Sequence, residues 1–275
     1  MTVVHSAERT ARRAARSNAL EALTRIGFIG YGLLHLAVGW IAVQLALGRP
    51  TGDGDQAGAF RYLGDQPFGR FLLMVTVLGL AAMALWQLLL AFIGHREERG
   101  FSRTAERVAS AARTVIYAAL AWTAYRVVVG TPTSNAEQTQ AATAGVMSHP
   151  AGLWLVGIAG VAVVATGVGL VVYGARRSFE KRLMISRMSR RSRVTAVRLG
   201  QLGYITKGVA FGIVGVLLFQ AVTSHNPAKS RGLDAALRLL VAQPYGPALL
   251  FLIAIGFGSF GVYCFFQSRY RRVCP

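Results

Sequence analysis

The chain has 275 residues, 53% of them hydrophobic and only 15% charged, and its formal net charge is +19. Soluble globular domains contain more charged residues, so this composition argues against a soluble protein and predicts an integral membrane protein. In a soluble protein the positive charge would indicate a nucleic-acid partner. Here the basic residues cluster beside apolar runs, which is typical of the cytoplasmic face of a membrane protein. We therefore predict contacts with anionic lipid headgroups at that face, and no nucleic-acid partner.

Six apolar runs divide the chain into three pairs. At 1.5 Å per residue, each run is long enough to cross the hydrocarbon core of a bilayer. The spans are predicted at about residues 24–48, 69–94, 108–130, 152–174, 199–223 and 246–267. The resulting organisation is a basic N-terminal segment at 1–23, repeat 1 at 24–94, repeat 2 at 108–174, a basic cytoplasmic linker at 175–198, repeat 3 at 199–268 and a basic tail at 269–275.

Two segments outside the spans also have a predicted structure. The N-terminal segment is rich in Ala and Arg, and we expect it either to lie on the anionic cytoplasmic surface or to be disordered. In the link between the first two spans, residues 56–65 predict a short amphipathic helix. Its apolar residues Ala57, Phe60 and Leu63 are expected to face inward.

The distribution of basic residues predicts the orientation of the chain. When Arg25 is counted with the N-terminal segment and Arg70 with the first link, 21 of the 30 lysines and arginines lie in the N-terminal segment, the second and fourth links and the C-terminus. Six lie in the first, third and fifth links. Cytoplasmic loops carry the excess of Lys and Arg in membrane proteins. We therefore predict a multi-pass protein of the bacterial inner membrane with both termini on the cytoplasmic side.

A Pro-x-Gly motif occurs once in each repeat, just before the second span. Proline is favoured in the first turn of a helix because its φ angle is already close to the helical value. The motif is therefore predicted to be a helix start and a tight bend. Its residues are Pro67 and Gly69, Pro150 and Gly152, and Pro244 and Gly246.

A gap-free alignment of the repeats places small residues in shared columns, as closely packed membrane helices require. The columns are Gly32, Thr114 and Gly208; Gly39, Ala121 and Gly215; Gly79, Ala162 and Gly256; and Ala82, Ala165 and Ser259. Because each repeat has two spans, successive repeats enter the membrane in the same orientation. We predict an all-α membrane fold of three tandem, parallel-topology helical hairpins. A pseudo-threefold bundle and an open arc both satisfy this pattern.

These motifs resemble a known family, domain of unknown function 1206, described as actinobacterial membrane proteins with three tandem two-helix repeats. In repeat 1 the resemblance rests on Arg25-Ile26-Gly27-Phe28-Ile29-Gly30-Tyr31-Gly32, Gly58-Ala59-Phe60 and Gln66-Pro67-Phe68-Gly69. Repeat 3 retains Gly203-Tyr204-Ile205, Gly208, Gly215 and Gln220. Repeat 2 departs most, with Arg113 in place of Tyr31. The resemblance implies the fold and supplies no reaction, because the family has no assigned activity.

Polar side chains inside the spans are the candidate functional residues, because charge is costly in hydrocarbon. One alignment column contains Tyr31, Arg113 and Lys207, and His35 lies one turn deeper. If these side chains face the centre of the bundle, two cations without a nearby carboxylate form a layer that attracts an anion. Alternatively, the long cationic side chains extend to the membrane interface. For His35 the alternative is a core ring that is hydrogen-bonded to a neighbouring helix.

The remaining polar residues favour packing roles. Gln44 and Gln220 share a column and are predicted to form hydrogen bonds between helices, while Arg126 is expected to reach the outer interface. Asp53 and Asp55 are expected to be solvated turn residues and not part of a calcium loop. The sequence contains no motif for nucleotide binding, metal binding or nucleophilic catalysis, so we predict no cofactor, no metal and no enzymatic activity.

The sequence therefore favours a non-catalytic membrane protein that binds lipids or an unidentified membrane-protein partner. The alternative is a small-anion transporter or channel that uses the cationic layer. The directions of the Arg113 and Lys207 side chains distinguish the two functions. Convergence on a central cavity favours transport, whereas extension toward the headgroups favours binding.

Overall fold

The computed structural model describes residues 18–49, 51–93, 101–131 and 134–271. These ranges contain nine α-helices and no β-strand. The helices are α1 (Asn18–Ala46), α2 (Gln56–Gly64), α3 (Gly69–Ile93), α4 (Phe101–Val128), α5 (Asn135–Met147), α6 (Pro150–Ala175), α7 (Arg190–Thr223), α8 (Gly232–Val241) and α9 (Gly246–Tyr270). Each repeat therefore consists of a long helix, a short helix and a second long helix.

Helix α2 confirms the predicted amphipathic helix of the first link. Its residues Ala57 and Phe60 are fully buried and Leu63 is 8% exposed. The corresponding helices α5 and α8 were not predicted. The α5 sequence has no apolar periodicity, and its helix is stabilised at the start by Ser134, whose hydroxyl accepts a hydrogen bond from the Glu137 amide.

Three long helices extend beyond the predicted spans at their basic ends. The described part of α1 begins at Asn18, while the rest of the predicted N-terminal segment, 1–17, lies outside the described residues. Helix α4 begins at Phe101 and α7 at Arg190, both earlier than the apolar runs suggested. Ala, Arg and Glu are good helix formers, so the helices continue after the apolar sequence has ended.

The Pro-x-Gly motifs form the same bend three times. In each motif the glycine amide donates a hydrogen bond to the carbonyl oxygen three residues earlier, at 2.7 Å for Gly69, 2.9 Å for Gly152 and 2.8 Å for Gly246. A Cβ atom on any of these glycines would collide with a carbonyl oxygen at the end of the preceding short helix. Glycine is required here because the two backbones touch, and the long helices begin at Gly69, Pro150 and Gly246.

The six long helices are arranged as a ring with one gap. Helix α1 packs against α3 and α9, α3 packs against α4, and α7 packs against both α6 and α9. In a closed pseudo-threefold ring α4 would also pack against α6. Among the described residues these two helices share no packed interface. The chain therefore forms an open arc whose neighbours follow the pseudo-threefold order.

The columns that contain Gly32 and Gly39 lie at contacts between repeats, whereas Gly79 and Gly256 lie at contacts within repeats 1 and 3. A Cβ atom on Gly32 of α1 would lie 2.8 Å from the carbonyl oxygen of Gly261 of α9, and one on Gly208 of α7 would lie 2.5 Å from that of Gly167 of α6. Gly261 and Gly167 occupy equivalent positions, so the two interfaces are copies of one another. The predicted close backbone contact is confirmed for the glycines of these columns in repeats 1 and 3, whereas Ala162 and Ala165 of repeat 2 are exposed.

Five described helices are long and apolar enough to cross a membrane: Arg25–Ala46, Gly69–Phe92, Ala151–Ala175, Arg190–Thr223 and Gly246–Tyr270. Helix α4 is long enough but is less apolar, since Arg113 and Arg126 lie within it. The composition of the helices supports a membrane protein.

Candidate functional site

Lys207 of α7 and Tyr31 of α1 meet inside the helix arc. The ammonium group of Lys207 donates a hydrogen bond of 2.9 Å to the Tyr31 hydroxyl and lies 4.1 Å from the centre of the Phe260 ring. The two residues belong to the column identified from the sequence, and they come from the first and third repeats. No carboxylate within the described ranges pairs with Lys207, so its charge is balanced only by a hydroxyl and by aromatic rings.

Aromatic side chains surround this pair. His35 is 6% exposed and packs against Tyr31 and Phe260, with ring centres 4.4 and 4.7 Å apart. Its Nδ1 atom lies 2.8 Å from the Tyr31 carbonyl oxygen, so the hydrogen bond stays within α1 and does not reach a neighbouring helix. Tyr117 of α4 meets Tyr31 edge-on at 5.7 Å. The layer thus joins side chains from α1, α4, α7 and α9.

Arg113 does not join Lys207 at this layer. Its guanidinium group lies 3.7 Å from a carboxylate oxygen of Glu106, and Arg182 lies 3.6 Å from the other oxygen of that carboxylate. The expectation that Arg113 lacks a nearby carboxylate was therefore wrong. The reason is that α4 begins at Phe101, which places Glu106 on the same helix about two turns from Arg113. Two arginines share one carboxylate, and a positive charge remains.

The basic linker folds against the bundle instead of extending freely from it. Phe179 is fully buried and Leu183 is 1% exposed, and both pack in a cluster with Tyr263 and Cys264. The amide of Met184 donates a hydrogen bond of 2.7 Å to the Tyr270 carbonyl. This packing holds Arg182 beside Glu106. The sequence did not reveal it, because isolated apolar residues in a basic segment carry no periodic signal.

Gln44 and Gln220 do not form the predicted interhelical bonds. Gln44 is half-buried and Gln220 is exposed, and in the described part of the chain neither side chain is hydrogen-bonded to another helix. Arg126 is half-buried near the end of α4. In the same ranges, no three His, Cys, Asp or Glu side chains lie together as metal ligands.

A buried carboxylate cluster lies at the end of the bundle opposite the basic linker. Asp234 is 1% exposed and accepts hydrogen bonds of 2.9 Å from the Gly54 amide and 2.9 Å from Arg238 Nε. Asp55 is 2% exposed and caps α2 through a hydrogen bond from the Gly58 amide. The expectation that Asp53 and Asp55 are solvated turn residues was wrong. Asp55 is buried where it caps α2, and Asp53 pairs with Arg231 of the link in repeat 3. Burial raises the pKa of Asp55 above its usual value.

Asp53 of this cluster gives a pH-dependent prediction. Burial raises its pKa, but hydrogen bonds from Ser134 and Arg61 and the charges of Arg61 and Arg231 outweigh burial, so its pKa lies below the usual value. Because the folded pKa is lowered, the ionised carboxylate stabilises the fold above the unfolded pKa, and this stabilisation is lost as the pH falls through the folded pKa.

Asp53→Asn is therefore expected to lower the free energy of unfolding at pH 7 by about 1 kcal/mol or more. The difference from wild type should shrink as the pH falls below about 4. Melting temperatures of detergent-purified protein across this pH range measure the effect, with Asp65→Asn at an exposed position as the control. If the melting temperature of Asp53→Asn stays below that of wild type by the same amount at every pH, the ion pair is not the source of the lost stability.

Comparisons with known proteins agree with the repeated architecture. The chain is 29% identical over 253 residues to an uncharacterized protein, YxxB, of Bacillus subtilis (strain 168), and the alignment covers 90% of each chain. This relative comes from Bacillus, so the comparison does not support the actinobacterial attribution. No solved structure gives a significant match. The family model described as Domain of Unknown Function (DUF1206) matches residues 26–94, 108–177 and 202–271, once in each repeat. The chain therefore belongs to this family.

Proposed function

We propose that this protein is a non-catalytic protein of the bacterial inner membrane that binds the anionic headgroup of a membrane lipid. The observation that carries the proposal is the ammonium group of Lys207. It lies inside the helix arc, hydrogen-bonded to the Tyr31 hydroxyl, without a carboxylate partner among the described residues.

Energetics favour an anionic ligand at this layer. A cation within a membrane-spanning segment costs several kcal/mol, of which aromatic rings and a hydroxyl return only a part. Arg113 and Arg182 share one carboxylate and add a second uncompensated charge toward the basic end of the bundle. A phosphate accepts hydrogen bonds from both kinds of cation. A lipid headgroup that is drawn in from the cytoplasmic interface supplies phosphate without an aqueous path.

The proposal is tested by the melting temperature of the purified protein in neutral detergent. Added phosphatidylglycerol should raise the melting temperature by several degrees, because a ligand that binds only the folded state stabilises it. Phosphatidylcholine with the same acyl chains, which carries no net charge, should raise it far less. Equal effects of the two lipids would contradict the proposal.

The second candidate is a small-anion transporter or channel, and one observation favours it, because the Lys207 side chain points into the arc. A second observation disfavours it. Arg113 turns toward Glu106 near the basic end, so the two cations do not converge on a central cavity. Anion flux into liposomes that contain the protein distinguishes the two functions. Under our proposal a panel of common anions should cross no faster than in empty vesicles. A flux that is lost in Lys207→Met would favour transport.

The proposed topology has six spans, including the less apolar α4, with both termini in the cytoplasm. The basic residues of the linker and the C-terminus support this orientation. In a variant without Cys264 and Cys274, single cysteines at Thr139 and Ala228, both exposed, should react with a membrane-impermeant reagent in intact cells. A cysteine at Ser186 should react only after permeabilisation. The reverse pattern would overturn the orientation.

A further inference from the structure

Repeat 2 lacks a helix contact that repeats 1 and 3 both make. In repeat 1, α1 and α3 touch at Gly27 and Gly79, where an added Cβ would lie 2.5 Å from a backbone oxygen. In repeat 3, α7 and α9 touch at Thr206 and Gly256. In repeat 2 the described parts of the corresponding helices, α4 and α6, share no packed interface.

The positions that would form the missing contact are exposed. Ile116 of α4 is 52% exposed, whereas its equivalents Leu34 and Ala210 are 1% and 4% exposed. Ala162 of α6, equivalent to Gly79 and Gly256, is also exposed. We call the gap between α4 and α6 the lateral window. Its walls are Ala112 and Ile116 of α4 and Ala162 and Thr166 of α6.

The lateral window is bounded at both ends. At one end α5 connects α4 to α6, and it packs against α6. At the other end Arg182, from the linker that follows α6, reaches Glu106 of α4. The opening is therefore apolar along its walls and cationic at the basic end, where Arg113 and Arg182 meet.

This charge pattern selects one kind of occupant. A phospholipid of the cytoplasmic leaflet has its phosphate at the cytoplasmic interface and acyl chains that extend about 15 Å to the midplane. The cations lie at the basic end of the window, and small and aliphatic side chains line the rest. Tyr31 and Lys207 retain partial exposure although they lie within the arc. A transmembrane helix of a partner would leave the excess positive charge without a counter-ion.

We propose that the lateral window admits an acyl chain of an anionic phospholipid whose headgroup lies between Lys207 and the pair formed by Arg113 and Arg182. This inference rests on the proposed function, because it assumes that the cationic layer binds a lipid headgroup. It adds the path by which the lipid enters and the place where its acyl chain binds. The lipid takes the place of the missing contact between α4 and α6. The site therefore recognises the charge of the headgroup and the presence of a chain together.

Native mass spectrometry of the full chain in neutral detergent tests the route. Ala162→Trp places a large ring in the window and should weaken phosphatidylglycerol binding by about tenfold or more, equal to roughly 1.4 kcal/mol. Val161→Trp is the matched control. Val161 is 61% exposed, and its equivalents Leu78 and Ile255 are 61% and 57% exposed on the outer surface. This variant should bind like wild type.

Further arms separate the possible failures. Glycerophosphoglycerol has the headgroup but no acyl chains. It should not compete with phosphatidylglycerol, because the proposed site requires an acyl chain. Ala112→Trp, on the opposite wall, should repeat the Ala162→Trp result at an unchanged melting temperature. Normal binding in both window variants, together with loss of binding in Lys207→Met, would keep the headgroup site and overturn the window. No preference for phosphatidylglycerol in wild type would overturn the proposed function itself. A changed oligomeric state with unchanged lipid binding would assign the window to a protein partner.

Discussion

Lys207→Met is expected to abolish the preference for phosphatidylglycerol and, in the absence of lipid, to raise the melting temperature. Methionine keeps much of the length of the side chain and removes the charge that lacks a carboxylate partner. Loss of a charged hydrogen-bonding partner should weaken anionic lipid binding by about tenfold to a hundredfold. Removal of the interior charge should stabilise the lipid-free fold by roughly 1 kcal/mol or more.

The opposite signs of these two effects distinguish a binding site from a structural contact. If Lys207 served only to hold α7 against α1, its loss would lower stability and would leave the lipid preference intact. Lys181→Met is the matched control, because Lys181 is exposed on the basic linker and should change neither quantity. Tyr31→Phe removes only the hydroxyl and should weaken lipid binding less than Lys207→Met does.

Gly208→Leu is expected to disrupt the interface between α6 and α7. A Cβ atom at Gly208 would lie 2.5 Å from the Gly167 carbonyl oxygen and 2.8 Å from the Val171 amide nitrogen, so the backbones themselves must move apart. We expect a loss of about 3 kcal/mol or more in unfolding free energy. The matched control is Gly212→Leu, one turn along α7, where an added Cβ meets nothing within 4 Å.

Melting temperature and size-exclusion profile in detergent measure this effect. Helix α6 packs mainly against α7 among the long helices, so separation of this pair should release α6 from the arc. Equal melting temperatures for the two variants would contradict the close backbone contact. Both variants are compared without added lipid, so the difference between them does not depend on lipid binding.

The features that the sequence predicted correctly are local or repeated. A Pro-x-Gly bend depends on a few neighbouring residues, and its three copies fold in the same way. The small-residue columns were predictable because a gap-free alignment gives each residue two equivalents. The packed pairs Gly32 with Gly261 and Gly208 with Gly167 show why those positions contain no larger side chain.

The features that the sequence did not predict depend on contacts between distant segments. Glu106 was assigned to a link, and only the longer α4 places it near Arg113. Asp234 reaches the Gly54 amide across 180 residues, so no local pattern indicates its burial. The lateral window is an interface that repeat 2 does not form, and its residues have no unusual composition. The alignment signalled that repeat 2 is unlike the others, because Arg113 replaces Tyr31 and because repeat 2 lacks three glycines that repeats 1 and 3 share. Its residues at those positions are Thr114, Ala121 and Ala162.

A crystal structure of the protein grown with phosphatidylglycerol that is brominated on one acyl chain tests the account most directly. We expect anomalous bromine signal between α4 and α6, beside Ala112 and Ala162, with the lipid phosphate within hydrogen-bonding distance of Lys207 or Arg182. A structure in which α4 packs against α6 as α1 packs against α3, with no bromine between them and no anion beside Lys207, would contradict the account.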